Sequence, residues 1–89
     1  MVSQLDFNKI QETWIAKFVS EGSSIIEIKR KEPCTIIILA NLEGMEPVII
    51  GSYHNNYVNH AIFKLDIPKG VEVTIKSATE VFEAKIQTE

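Results

Sequence analysis

Apolar and polar side chains take turns through most of this chain, in short runs divided by turn residues. From Ala61 to Ile67, the residues Ala61, Phe63, Leu65 and Ile67 share one face, while Lys64 and Asp66 share the other. Pro68-Lys69-Gly70 supplies a turn, since proline presets φ and glycine accepts a positive one. The next run puts Val71, Val73 and Ile75 inward and Glu72, Thr74 and Lys76 outward. After Ser77-Ala78-Thr79, the last run places Phe82, Ala84 and Ile86 inward against Glu83, Lys85 and Gln87. Three half-buried strands joined by short turns predict an antiparallel meander.

The middle of the chain is also β in pattern. Ser24 to Lys31 alternates Ile26 and Ile28 with Glu27 and Lys29, and Glu32-Pro33 ends it. Cys34 to Asn41 is apolar on both faces, which predicts a central strand covered from each side. A loop at 42–47 leads into a short strand, Val48 to Ser52, and a polar loop follows from Tyr53 to His60. The N-terminal third reads two ways. Phe7, Ile10, Trp14 and Phe18 fall at helical spacing, with Asp6 as a possible N-cap and Gly22 as a stop. Thr13 to Val19 is instead rich in strand formers, and Glu21-Gly22-Ser23 would make a hairpin into the Ser24 strand. The strand reading is favoured, because a seventh strand helps close a sandwich and makes Trp14 its largest core residue. The expected fold is therefore all-β: a seven-stranded antiparallel β-sandwich over residues 12–89, preceded by an extended arm over residues 1–11. The alternative is an α+β fold with one N-terminal helix packed on a six-stranded sheet.

Composition supports the β reading. Ile and Val far outnumber Leu among 89 residues that are 45% hydrophobic and 24% charged, which suits one folded domain. The net charge is −3, and the only basic run, Lys29 to Lys31, is flanked by Glu27 and Glu32. A nucleic-acid partner is not expected without a dense basic stripe. No apolar run approaches the roughly 18 to 20 residues that cross a bilayer, and the N-terminus lacks a signal-peptide pattern. A soluble protein made in the cytoplasm is expected. The single cysteine, Cys34, forms no internal disulfide and reads as a small buried hydrophobe.

Candidate chemistry is sparse. His54, His60 and Cys34 lack the paired spacing of a metal site, so no metal and no cofactor are expected. No serine sits in a nucleophile elbow, although Ser52 and His54 would share a strand face. Catalysis is not expected. Two stretches are left as candidate binding sites. The loop containing Tyr53, His54, Asn55, Asn56, Tyr57, Asn59 and His60 pairs aromatic rings with amides, a composition suited to glycan or protein recognition. The arm carries Leu5, Phe7 and Ile10, which need burial against a neighbouring subunit or the parent domain. An open sheet edge that could pair with another chain is a third candidate.

The order of motifs resembles a known group. Trp14 on a first strand is followed by Ile26-x-Ile28, Ile36-x-Ile38 and Pro47-Val48-Ile49-Ile50-Gly51. After the polar loop come Phe63-x-Leu65-x-Ile67-Pro68-x-Gly70-Val71-x-Val73-x-Ile75-Lys76-Ser77 and Ala84-x-Ile86. From Glu12 to Gln87 this is similar to the small β-sandwich modules of bacteriophage virions that serve as capsid decoration, head-fibre, neck or tail-adhesion subunits. The resemblance implies a non-enzymatic structural role, oligomeric assembly on a larger particle, and a loop-borne host or glycan contact. The rival readings are a carbohydrate-binding module using the Tyr53–His60 loop and a small intracellular inhibitor or regulator of a host protein.

Overall fold

The computed structural model describes residues 2–32, 34–54 and 60–88. They form nine strands and no helix: β1 Val2–Gln4, β2 Asn8–Ile10, β3 Thr13–Val19, β4 Ser23–Arg30, β5 Thr35–Asn41, β6 Val48–His54, β7 His60–Asp66, β8 Glu72–Ser77 and β9 Val81–Thr88. Two antiparallel sheets result, one ordered β1-β9-β4-β7 and the other β2-β3-β8-β5-β6. The all-β expectation holds, with nine strands rather than seven. The extra two come from the arm, whose ends add a short strand to each sheet.

Alternation placed the inner faces well. Ile26, Ile28, Ile36 and Ile75 are fully buried between the sheets, with Ile38, Val73, Ala61 and Ala84 around them. Each fully buried isoleucine contributes roughly 2 kcal/mol of transfer free energy, so this inner layer is the main source of cohesion. Phe63, Leu65 and Ile67 pack against its margin. Helical spacing from Phe7 to Phe18 lost to sheet pairing, because every residue from Trp14 to Val19 has a partner on β8.

The expected meander does not form. β7 pairs with β4, β8 with β3 and β5, and β9 with β4 and β1, so consecutive strands belong to different sheets. The Glu21-Gly22-Ser23 hairpin fails for the same reason, since β3 and β4 lie in opposite sheets. These connections are arches across the roughly 10 Å between layers, not turns within one. Backbone and side-chain hydrogen bonds hold them in pairs. At one end, Ser20 joins the 20–22 arch to the 67–71 arch: its N–H donates to Val71 O (2.8 Å), its Oγ to Ile67 O (2.9 Å), and Gly70 N–H donates to Ser20 O (2.8 Å). At the other end, Lys31 N–H donates to Glu80 O and Thr79 Oγ1 to Glu32 O, both at 2.8 Å.

Three side chains also depart from expectation. Phe82 is 65% exposed, although its run put it inward. Val81 faces Arg30 and Glu83 faces Lys29, so Phe82 is the extra residue of a β-bulge, and the bulge reverses its direction. Trp14 is half-buried at the end of β3, opposite Ser77, and stands outside the core that Ala16 and Phe18 approach. Cys34 is half-buried in polar company, not a core hydrophobe.

Candidate functional site

The two outer faces of the sandwich differ in kind. On the β1-β9-β4-β7 sheet, charged side chains cross the strands and pair. Lys29 Nζ and Lys85 Nζ both reach Glu83, at 3.1 and 3.2 Å, and His60 Nε2 lies 3.1 Å from Glu27 Oε2. The hydrogen bond from Lys29, then that from Lys85, holds the Glu83 carboxyl below its usual range. These are solvated pairs that keep the face wet and contribute little to stability.

The outer face of the other sheet carries apolar side chains on β3, β5 and β6, with Glu72, Thr74 and Lys76 of the central β8 between them. Register sets its rows: Ile15, Lys76, Ile37 and Ser52 lie side by side, and next to them Lys17, Thr74, Leu39 and Ile49. Ile15, Ile37 and Leu39 are half-buried by their neighbours within the sheet, and Ile49 is 64% exposed. The sequence of β5 predicted cover on both faces. The second layer covers only the inner one, which carries Ile36, Ile38 and Ala40. Lys17 and Lys76 stand on this face together with Glu72 at its end.

The same surface runs onto the β5–β6 hairpin. Among the described residues, five of the eleven exposed large apolar side chains fall between Leu42 and Ile50: Leu42, Met45, Val48, Ile49 and Ile50. A bulge at Ile50, where the register shifts between Ile38 and Leu39, turns that side chain toward a groove of about 410 Å³ between β6 and β7. Leu65 and Ile67 form the floor of this groove.

The predicted site residues scatter over different surroundings. Leu5 is buried in the core and Phe7 packs against it, so the arm folds back on its own domain; Ile10 alone stays exposed, on β2. Leu5 N–H donates to Ala84 O (2.9 Å) where the chain crosses between sheets. A groove of about 620 Å³ runs beside this crossing, with Leu5, Phe18 and Ile86 in its wall and the exposed Asp6, Lys17 and Glu21 at its rim. Tyr53 and His54 belong to β6, His60 opens β7 and pairs with Glu27, and Asn55, Asn56, Tyr57 and Asn59 lie outside the described residues. The apolar outer face was missed. Its signal was the unbroken apolar run of β5, read as a strand covered from both sides.

One polar cluster was also missed. Arg30 is fully buried, and its Nη1 donates to Cys34 O and approaches Cys34 Sγ (3.8 Å). Ser77 Oγ and Thr79 Oγ1 each stand 3.4 Å from the sulfur. Burial pushes the Cys34 thiol up, but the Ser77 and Thr79 hydroxyls, the Thr79 amide and Arg30 pull it down further. It comes to about 7 against an ordinary 9.0. Each hydroxyl has one proton and a closer rival acceptor: Thr79 O at 2.8 Å for Ser77, and Glu32 O at 2.8 Å for Thr79. The cluster's first role is to close the arches at this end, with the thiol as a titratable passenger.

No protein-family model, no curated protein and no solved structure matches this chain.

Proposed function

We propose that this chain is a non-enzymatic subunit that docks on a larger protein assembly through the outer face of the β2-β3-β8-β5-β6 sheet. The observation that carries this reading is the difference between the two faces: one carries cross-strand ion pairs beside Ile25 and Ile62, the other bears Ile15, Ile37, Leu39 and Ile49 across three of its strands. Contiguous exposed apolar surface costs solubility, and a partner surface that covers it removes that cost. The fitting partner is an apolar protein surface carrying carboxylates for Lys17 and Lys76. The strand pattern resembles virion accessory modules, so a phage particle is the first assembly to test.

The test is quantification of the chain in purified particles, followed by re-binding of the purified protein. Many copies per particle are expected. Ile37→Lys should weaken re-binding tenfold or more, while Ile62→Lys, on the charged face, should leave it unchanged. Particles that neither contain the chain nor bind it would remove this reading.

A further inference from the structure

We infer that the free edge of β6 pairs with the same strand of a second copy of this chain, joining two five-stranded sheets into one. Among the described residues, four strand edges are open in the sandwich: β1 and β2 flank one side, β6 and β7 the other. An open edge is a template for pairing, and proteins blunt such edges by shortness, charge or proline. β1 and β2 have three residues each. β7 presents Lys64 and Asp66 and is followed by Pro68. β6 differs from the other three: it runs for seven residues and contains no Lys, Arg, Asp or Glu. The stretch without Lys, Arg, Asp or Glu is longer still, reaching from Pro47 to Phe63, and includes His54 and His60.

That neutrality suits a second copy. Antiparallel self-pairing sets a strand against its own sequence, so a charge near the axis would meet its like. None exists there to oppose the contact. The bulge at Ile50 bends this edge without ending it, and Pro47 bounds the strand at its start. A lysine in place of Ile50 would supply the missing charge.

The size of the contact sets its strength. Seven residues span about 24 Å, and the molecule is 20 Å through its thinnest dimension, so the flank offers roughly 480 Å² per copy. Roughly 1,000 Å² in total lies at the bottom of the range for specific interfaces, so a weak dimer is expected, in the upper micromolar range. Leu42, Ile50, Leu65 and Ile67 lie on this flank and would be covered with it. This inference rests on the docking face proposed above, because pairing at β6 lays two such faces edge to edge. Individually weak contacts would then act in pairs on a repetitive partner.

The experiment is sedimentation equilibrium from micromolar to millimolar concentration, with hydrogen exchange read at both ends of the range. The mass should rise from 10.1 kDa toward twice that value, with new protection confined to β6 amides. Ile50→Lys should weaken the dimer at least tenfold, while Val2→Lys, on the exposed β1 edge at the opposite flank, serves as the matched control and should not. Thermal melting checks that both variants fold. A chain that stays at 10.1 kDa throughout, or a dimer whose β6 amides exchange freely, overturns the inference. The two readings fail separately. A monomer that still binds particles in an Ile37-dependent way removes only the dimer, and a β6-paired dimer that ignores particles removes only the docking reading.

Discussion

Replacing Thr79 by valine keeps the shape of the side chain and removes one hydroxyl from beside Cys34. That hydroxyl lies 2.8 Å from Glu32 O and 3.4 Å from Cys34 Sγ. In the thiol form it serves the carbonyl; as the sulfur ionises, it can turn to the thiolate. A hydrogen bond to a charged acceptor is worth roughly 1.5 to 3 kcal/mol, and one to a neutral carbonyl about 1, so the difference favours ionisation. With Ser77, the Thr79 amide and Arg30 still in place, Thr79→Val should move the thiol from about 7 toward 9.0 by roughly half to one pH unit.

The same substitution changes how stability depends on pH. The folded thiol titrates below its unfolded value of 9.0, so the thiolate favours the folded chain. That contribution is complete above pH 9, is lost as pH falls through about 7, and is absent in acid. It amounts to roughly 1 kcal/mol once solvent around a half-exposed sulfur is allowed for. Iodoacetamide alkylation followed against pH reads the midpoint, and urea unfolding at pH 6 and 9 reads the linkage. Thr79→Val should cost about 1 kcal/mol at pH 6 through the lost Glu32 bond and more at pH 9, where the stronger bond to the thiolate is lost, so the stability difference flattens. A wild-type midpoint near 9, or one that Thr79→Val leaves in place, would show that the hydroxyls serve only their carbonyls.

Two further outcomes follow from the packing. Leu5→Ala should cost about 2 to 3 kcal/mol in urea unfolding, because Leu5 is 7% exposed and plugs the crossing between sheets; hydrogen exchange should then speed up at residues 2–10 first, and uniform acceleration would contradict a locally held arm. Gly22 sits at φ 108° with nothing within 4 Å of where a Cβ would lie. Gly22→Ala should therefore destabilise by about 1 to 2 kcal/mol through backbone conformation alone, and a neutral result by thermal melting would mean the 20–22 arch relaxes at no cost.

Much of this molecule can be read from its pattern. The seven strands from β3 to β9 and the inward isoleucines follow from period-two alternation, which is a local property. Pairing does not follow, because Glu21-Gly22-Ser23 and Ser77-Ala78-Thr79 are short enough to serve a hairpin or an arch equally well. What selects the arch is the second sheet and the bonds of Ser20 and Thr79 across it. Phe82 was misplaced because a bulge inserts one residue without changing composition. The apolar outer face stayed hidden because alternation shows that β5 is greasy on both sides without showing how many layers exist to cover it. Arg30 lay in a basic run that looked solvated, and only the fold shows it buried against Cys34.

The alternation of strands between layers bears on how the chain reaches this structure. β9, the ninth described strand in chain order, sits inside its sheet between β1 and β4. Synthesis from the N-terminus therefore leaves β4 with an empty neighbour until β9 emerges, and β1 has nothing to join before then. Of the ladders, only the β2–β3 and β5–β6 hairpins close locally, so most of the ordering entropy must be met by distant contacts. Slow folding, a short-lived unpaired β4 on the nascent chain and intolerance of truncation at Val81 are the price of a domain woven this way.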